Sequence, residues 1–77
     1  MASHRFLVRG LASPDLPLRV LNLFAQQDLA YDRAEVARDA DRYVIRVAAS
    51  GLAEPRAAIL LEKMRMLVLV ESAELSS

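Results

Sequence analysis

The chain contains no cysteine. That absence removes a disulfide framework and any thiolate-held metal from consideration. Histidine is nearly absent too: His4 stands alone, and without a second imidazole or a thiol a zinc site has too few soft ligands. Its place near the start reads as a tail residue. Charge of one sign is also missing. Ten basic residues balance ten acidic ones, so the chain has no electrostatic footprint for nucleic acid or an anionic membrane. Tyr31 and Tyr43 aside, no aromatic is placed to stack bases on a sheet surface. No apolar run approaches the roughly 20 residues that span a bilayer. Residues 1–5 carry neither an apolar core nor a small-residue cleavage site, so no signal peptide is read there. The expectation is a soluble, cytoplasmic protein. There is no phosphate-cradling glycine motif. The acidic pairs Asp39 with Asp41 and Glu71 with Glu74 fall in turns or near the end, as solubilising charge rather than a general acid–base couple. No constellation for catalysis and no cofactor site is expected.

What the chain does have is apolar mass. Hydrophobic residues make up 55% of 77 residues. A chain this short forms one domain and buries only about 60–65% of its unfolded surface. The apolar surplus therefore points to a subunit interface, and a homodimer is expected. Nine of the ten bases are arginine, a side chain suited to carboxylate recognition and interface ion pairs.

Periodicity divides the chain into six elements. Residues 5–10 alternate as a strand, with Phe6 and Val8 on one face and Arg5, Leu7 and Arg9 on the other. Gly10 ends it. Residues 11–15 are turn and cap chemistry, with Ser13 or Asp15 able to cap a helix and Pro14 and Pro17 tolerated only in its first turn. The helix is expected over 15–28, with Val20, Leu21 and Phe24 as its apolar stripe and Leu16 or Pro17 before them. Leu23 falls off that stripe and hints at a contact beyond the monomer. A polar second strand covers 29–38, a turn 38–41, and a strong third strand 42–49, where Tyr43, Ile45 and Val47 share a face. Pro55 opens a second helix running to about Arg65, with Ala57, Ala58, Leu61 and Met64 inward and Lys63 and Arg65 complementing the helix dipole. The last strand is expected over 67–71. Residues 1–4 and 73–77 are expected as flexible ends around a single domain over 5–72.

The order strand, helix, strand, strand, helix, strand is the ferredoxin-like βαββαβ arrangement of the α+β class. Two helices would cover one face of a four-stranded antiparallel sheet. Phe6, Val8, Ala34, Val36, Ile45, Val47, Val68 and Val70 would line that face against Val20, Leu21, Phe24, Leu61 and Met64. The other face would carry Leu7, Val44, Leu67 and Leu69 beside arginines and glutamates.

The stretch Ser13-Pro14-Asp15 followed by Arg19-Val20-Leu21 and Phe24 resembles the ACT domain family. The resemblance extends over residues 5–72, through the spacing to the second strand, the strong third strand and the leucine-rich second helix. Within the family it is most similar to the short small regulatory subunits of acetolactate synthase. The resemblance implies a non-catalytic module that pairs side by side and binds a small amino acid at the loop after the first strand. Here that loop would supply Gly10, Leu11, Ala12, Ser13, Asp15 and Leu16, with helix-start amides for a carboxylate and Asp15 for an amino group. Leu23, Tyr31, Arg33 and Glu35 would form the dimer interface, and a large biosynthetic enzyme subunit would be the further partner. The alternative is a purely structural protein–protein interaction subunit with no ligand.

Overall fold

A computed structural model describes residues 3–77. The alternation of the first strand runs further than its sequence suggested. β1 spans Ser3–Leu11, with every second residue from His4 to Gly10 buried. It is followed by α1 (Asp15–Gln26), β2 (Arg33–Asp39), β3 (Arg42–Ser50), α2 (Glu54–Arg65) and β4 (Val70–Ser76). The expected βαββαβ order is therefore the observed one, and the four strands form one antiparallel sheet in the order β2-β3-β1-β4.

Other expected boundaries move as well, each for a local reason. α1 stops at Gln26 rather than 28 because a left-handed Asp28, at φ 55°, closes it. The Leu29 N–H donates to the Phe24 carbonyl at 2.9 Å and the Asp28 N–H to the Ala25 carbonyl at 3.0 Å, the paired bonds of a Schellman cap. β2 then starts at Arg33, four residues later than the expected 29. The Asp32 carboxylate holds its start by accepting the Ser50 N–H at 2.8 Å.

The largest correction is at the far end. Leu67-Val68-Leu69-Val70 alternates like a strand, but residues 67–69 instead form a turn that follows α2. The Leu67 N–H donates to Met64 and the Val70 N–H to Leu67. Val68, expected in the core, is 97% exposed. The strand is Val70–Ser76, so residues 73–76, expected as a flexible end, pair with β1 from Val8 to Arg5. At the other end, Ser3 and His4, also expected to be flexible, pair with Ser50 and Ala49. Met1 and Ala2 of that end lie outside the described residues. The register slips between Arg9 and Gly10, where Glu71 is the extra residue of a bulge.

Both helices contribute to a core on one side of the sheet. Phe6, Val8, Ile45, Val47, Ala49 and Ala73 meet Leu16, Val20, Leu23 and Phe24 from α1, and Leu52, Ala57, Leu60 and Met64 from α2 and its approach. Phe6 and Phe24 stack edge to face with centroids 5.5 Å apart, a geometry worth roughly 0.5–1.5 kcal/mol beyond area burial. The helix stripes are rotated from those expected. Leu23 replaces Leu21 and Leu60 replaces Leu61, and both expected residues are only half-buried. Positions 16, 20, 23 and 24 fit the i, i+4, i+7, i+8 pattern of a single helix face, which places Leu23 on the inner stripe.

Candidate functional site

The loop between β1 and α1 was expected to hold a ligand, and its six expected site residues divide into core and surface. Gly10 and Leu16 are buried, Leu16 completely. A methyl group on Gly10 would come 2.3 Å from the Leu69 carbonyl oxygen and 2.8 Å from Leu16 Cδ2. The glycine is thus required by close approach of the 67–69 turn, and the space above it is filled by the protein. Ala12 and Ser13 are half-buried; Leu11 and Asp15 are exposed.

The loop's amides are largely spoken for. The N–H groups of Leu11, Ala12 and Ser13 donate to the carbonyls of Leu69, Asp41 and Leu11 at 3.1, 3.0 and 2.8 Å. Leu16 N–H donates to the Ser13 carbonyl at 3.0 Å, and Asp15 N–H reaches Ser13 Oγ at 3.4 Å. Pro14 and Pro17 have no N–H to offer. Pro14, rather than Ser13 or Asp15, occupies the cap position, and no side chain caps the helix. The prolines and the engaged amides leave this helix start poor in donors for a carboxylate. Its exposed charges are Asp15 and Arg19, one turn apart with 3.9 Å between Oδ2 and a guanidinium nitrogen.

The expected dimer residues are also redistributed. Leu23 is 8% exposed and belongs to the monomer's core, so it is not an interface residue as expected. Tyr31 precedes β2 and packs edge to face on Phe24 at 5.6 Å. Arg33 and Glu35 do lie on β2, on the sheet face away from the helices, joined to each other at 2.9 Å. β2 is an edge strand.

Hydrogen bonds fix which way each edge points. Ser50 N–H reaches Asp32 beside β2, so by the alternation of a strand Ala48, Arg46 and Val44 also direct their polar groups at β2. Their partners Arg33, Glu35 and Ala37 point back. Ala34, Val36 and Arg38 therefore present N–H and C=O outward. The same reasoning applies to β4. Leu11 N–H donates toward β4, so Arg9, Leu7 and Arg5 face it, and their partners Ser72, Glu74 and Ser76 face back. Ala73 then points its carbonyl outward. That carbonyl is taken: Arg65 Nε from α2 donates to it at 3.2 Å. The guanidinium is held in turn by Glu62 at 3.1 Å. In the sequence Arg65 is a complement to the helix dipole, and nothing local marks it as the partner of a strand-edge carbonyl.

The sheet face opposite the helices carries charge in place of a second layer. Leu7 and Val44 lie there half-buried, as expected; Leu67 and Leu69, expected beside them, instead pack against the core from the turn. Arg42 reaches across β1 to Glu71 at 2.6 Å and pairs with Asp41 at 3.0 Å. The hydrogen bond to Glu71, then the charge of Asp41, raises its pKa above the ordinary guanidinium value. At the opposite end Arg5, Arg33 and Arg46 surround a depression of about 480 Å³ floored by Ala48. His4, expected as a tail residue, is 3% exposed and its Nδ1 has no hydrogen-bond partner.

A family model of the ACT-like domain matches residues 1–77. The chain belongs to the ACT-like domain family. Solved structures similar to this ACT-like domain share its fold at low identity. The crystal structure of the ACT domain from the GTP pyrophosphokinase of Chlorobium tepidum aligns with a TM-score of 0.80 at 9% identity, covering 96% of each chain. The C-terminal domain of the MgtC protein from Mycobacterium tuberculosis aligns at 0.74 and 10% identity, over 96% of this chain and 84% of that one. A formyltetrahydrofolate deformylase from Pseudomonas putida KT2440 aligns at 0.70 and 16% identity, with 99% of this chain covering 29% of the enzyme. None of these three is an acetolactate synthase subunit. No curated protein matches the chain in sequence. Among the described residues, no helix is long and apolar enough to cross a membrane.

Proposed function

We propose that this ACT-like regulatory domain acts by pairing its β2 edge with that of a second copy, and that the joined sheet tunes a larger biosynthetic enzyme. The observation that carries this reading is the asymmetry of the edges. On β4 the outward Ala73 carbonyl is occupied by Arg65, which leaves Leu75 as its open residue, whereas Ala34, Val36 and Arg38 all offer outward groups on β2. An antiparallel pair centred on Val36 would set Ala34 opposite Arg38 of the second copy and Val36 opposite itself. All these outward groups would then bond. The same register sets Arg33 opposite Asp39 of the second copy, twice, as favourable cross-strand pairs. It would also cover Val36, which is 46% exposed.

The test is sedimentation of the parent chain and of Val36→Pro at about 0.5 M salt, where surface charge is screened to within a few ångströms. Proline at an outward edge position removes only the outward N–H and spares the β2–β3 ladder. The parent is expected to be a dimer at low micromolar concentration and the variant a folded monomer. A parent that stays monomeric, or a variant that dimerises equally well, would refute edge pairing through β2.

For the enzyme partner, the likeness of Ser13-Pro14-Asp15 and Arg19-Val20-Leu21 to the small subunits of acetolactate synthase makes that enzyme the first to try. A second reading, amino acid sensing at the β1–α1 loop, draws on the exposed Asp15–Arg19 pair. Those groups match the ammonium and carboxylate of a free amino acid. Calorimetry with branched-chain and other amino acids tests it, with Asp15→Ala expected to abolish any heat while leaving the dimer intact. Silence across the panel would leave assembly as the domain's role.

A further inference from the structure

On the sheet face turned away from the helices, one cross-strand row has a gap at its centre. Strand register places Arg33, Ala48, Arg5 and Ser76 side by side across the four strands. Ala48 carries only a methyl group, so the space above it stays open between longer side chains. Arg46, two residues away on β3, closes a third side of the depression of about 480 Å³. By strand geometry the roots of Arg5 and Arg33 stand about 10 Å apart across Ala48, with Arg46 about 8 Å from each.

The charges around this depression are not balanced within the chain, although the chain as a whole is neutral. Arg33 is held by Glu35 at 2.9 Å. Among the described residues, Arg5 and Arg46 form no ion pair. Three arginines less one glutamate leave the lining with a net charge of +2. Glu74 stands opposite Leu7, and the Asp32 carboxylate is engaged by Ser50 N–H; neither lines the depression. Pairing through β2 would bring Asp39 of a second copy beside Arg33 alone, so Arg5 and Arg46 stay uncommitted in either state.

From this arrangement we infer that the depression binds a dianionic phosphoryl group carried by a small soluble molecule. Two free guanidinium forks supply two charges and at least four N–H donors. A phosphomonoester brings a charge of about −1.5 to −2 at pH 7 and three acceptor oxygens. A carboxylate brings one charge and two oxygens, and one fork satisfies it. The Ser76 hydroxyl lines the same space as a further donor. The volume lies within the roughly 300–1,000 Å³ usual for small-molecule sites, so the phosphoryl group is assigned to a larger molecule rather than to free phosphate. Leu7, half-buried in the lining, offers an apolar wall to the rest of that molecule. The arginines are exposed, so water screens them and the affinity is millimolar.

The test titrates the parent chain with glycerol phosphate, inorganic phosphate, dimethyl phosphate and malonate at constant ionic strength, following amide signals by NMR. Glycerol phosphate is expected to shift Arg5, Arg46 and Ala48 along a saturating millimolar curve, at least as tightly as inorganic phosphate. Arg5→Gln and Arg46→Gln should each weaken it by about tenfold, the scale of one lost charge-assisted bond. Arg9 is a further exposed arginine on this face, about 13 Å along β1 from Arg5, beyond the Debye length of about 8 Å at physiological salt. Arg9→Gln should therefore leave binding within about twofold. Shifts that never saturate, or that weaken as much in Arg9→Gln, would reduce the effect to screening and overturn the inference. Dimethyl phosphate, a monoanion, should bind about tenfold more weakly than glycerol phosphate. Equal binding would mark a lipid or nucleic-acid phosphodiester as the ligand, and equal binding of malonate a dicarboxylate; either result overturns the inference. So would a site that takes inorganic phosphate and refuses glycerol phosphate. The site lies on the sheet face, so these outcomes stand apart from edge pairing, which sedimentation reads.

Discussion

Replacing Gly10 with alanine tests whether the 67–69 turn and β1 are packed as closely as described. The added methyl would lie 2.3 Å from a backbone oxygen, that of Leu69, and 2.8 Å from the Leu16 side chain. Leu16 could rotate at some cost, but it is fully buried, and the carbonyl can withdraw only by moving the turn. Overpacking of this kind costs about 1–3 kcal/mol. Moving the turn also lengthens the 3.1 Å bond from Leu11 N–H to Leu69, which is worth about 1 kcal/mol. Against these stands the smaller unfolded-state entropy of alanine, roughly 0.4–1 kcal/mol in its favour. The net expectation is destabilisation by about 2 kcal/mol, a large share of the roughly 4–12 kcal/mol available to a domain of this size. For 60–100 residues each kcal/mol moves the midpoint by about 4–8 °C, so the fall is about 8–16 °C. Thermal unfolding followed by circular dichroism reads it directly. Protein concentration must be matched, because a self-pairing chain melts in a concentration-dependent way. A midpoint within about 2 °C of the parent, on that same scale, would refute the close approach.

Two further substitutions probe strain and unmet polarity. His4→Leu removes a buried imidazole with an unpartnered Nδ1; it should stabilise by about 1–2 kcal/mol in a urea titration, and a loss of stability would mean the ring has a partner. Ala40→Gly relieves a left-handed residue at φ 55° in the β2–β3 turn; relief of about 1–2 kcal/mol less the roughly 0.4–1 kcal/mol that glycine costs through the unfolded state leaves a rise of a few degrees in the midpoint, and a fall would show that the turn tolerates its alanine.

Element order was legible in the sequence because periodicity is a local signal, and each strand or helix announces its own repeat. The ends were not, for physical reasons that differ case by case. Leu67 to Val70 alternates as well as any strand, yet the Met64 and Leu67 carbonyls capture the amides that a ladder would need. Ser72 to Ser76 looks too polar for a strand, but only Ala73 and Leu75 must face the core, and small residues suffice beneath α2. His4 reads as a tail because a lone polar residue near a terminus usually is one; here strand alternation forces it inward between Ser3 and Arg5. The loop conceals its packing in another way. Gly10 and Leu16 look available in one dimension, but the chain that fills the space over Gly10 comes from residue 69. The polar face of β2 was legible; the covered carbonyl on the β4 edge was not, because it depends on a side chain eight residues away.

The hydrogen bond from Arg65 to Ala73 also bears on how many neighbours a molecule can have in its sheet. With β4 partly covered by that bond, the two-fold contact proposed through β2 would take up the more open edge of each chain and favour an assembly of two. If the last turn of α2 frays and withdraws the guanidinium, each molecule gains a second sticky end. Two unlike edges per molecule no longer close on themselves, and the product becomes a ribbon of indefinite length rather than a particle of fixed size. A side chain that contributes little to stability, at an exposed helix end, would then be what separates a finite assembly from a fibre.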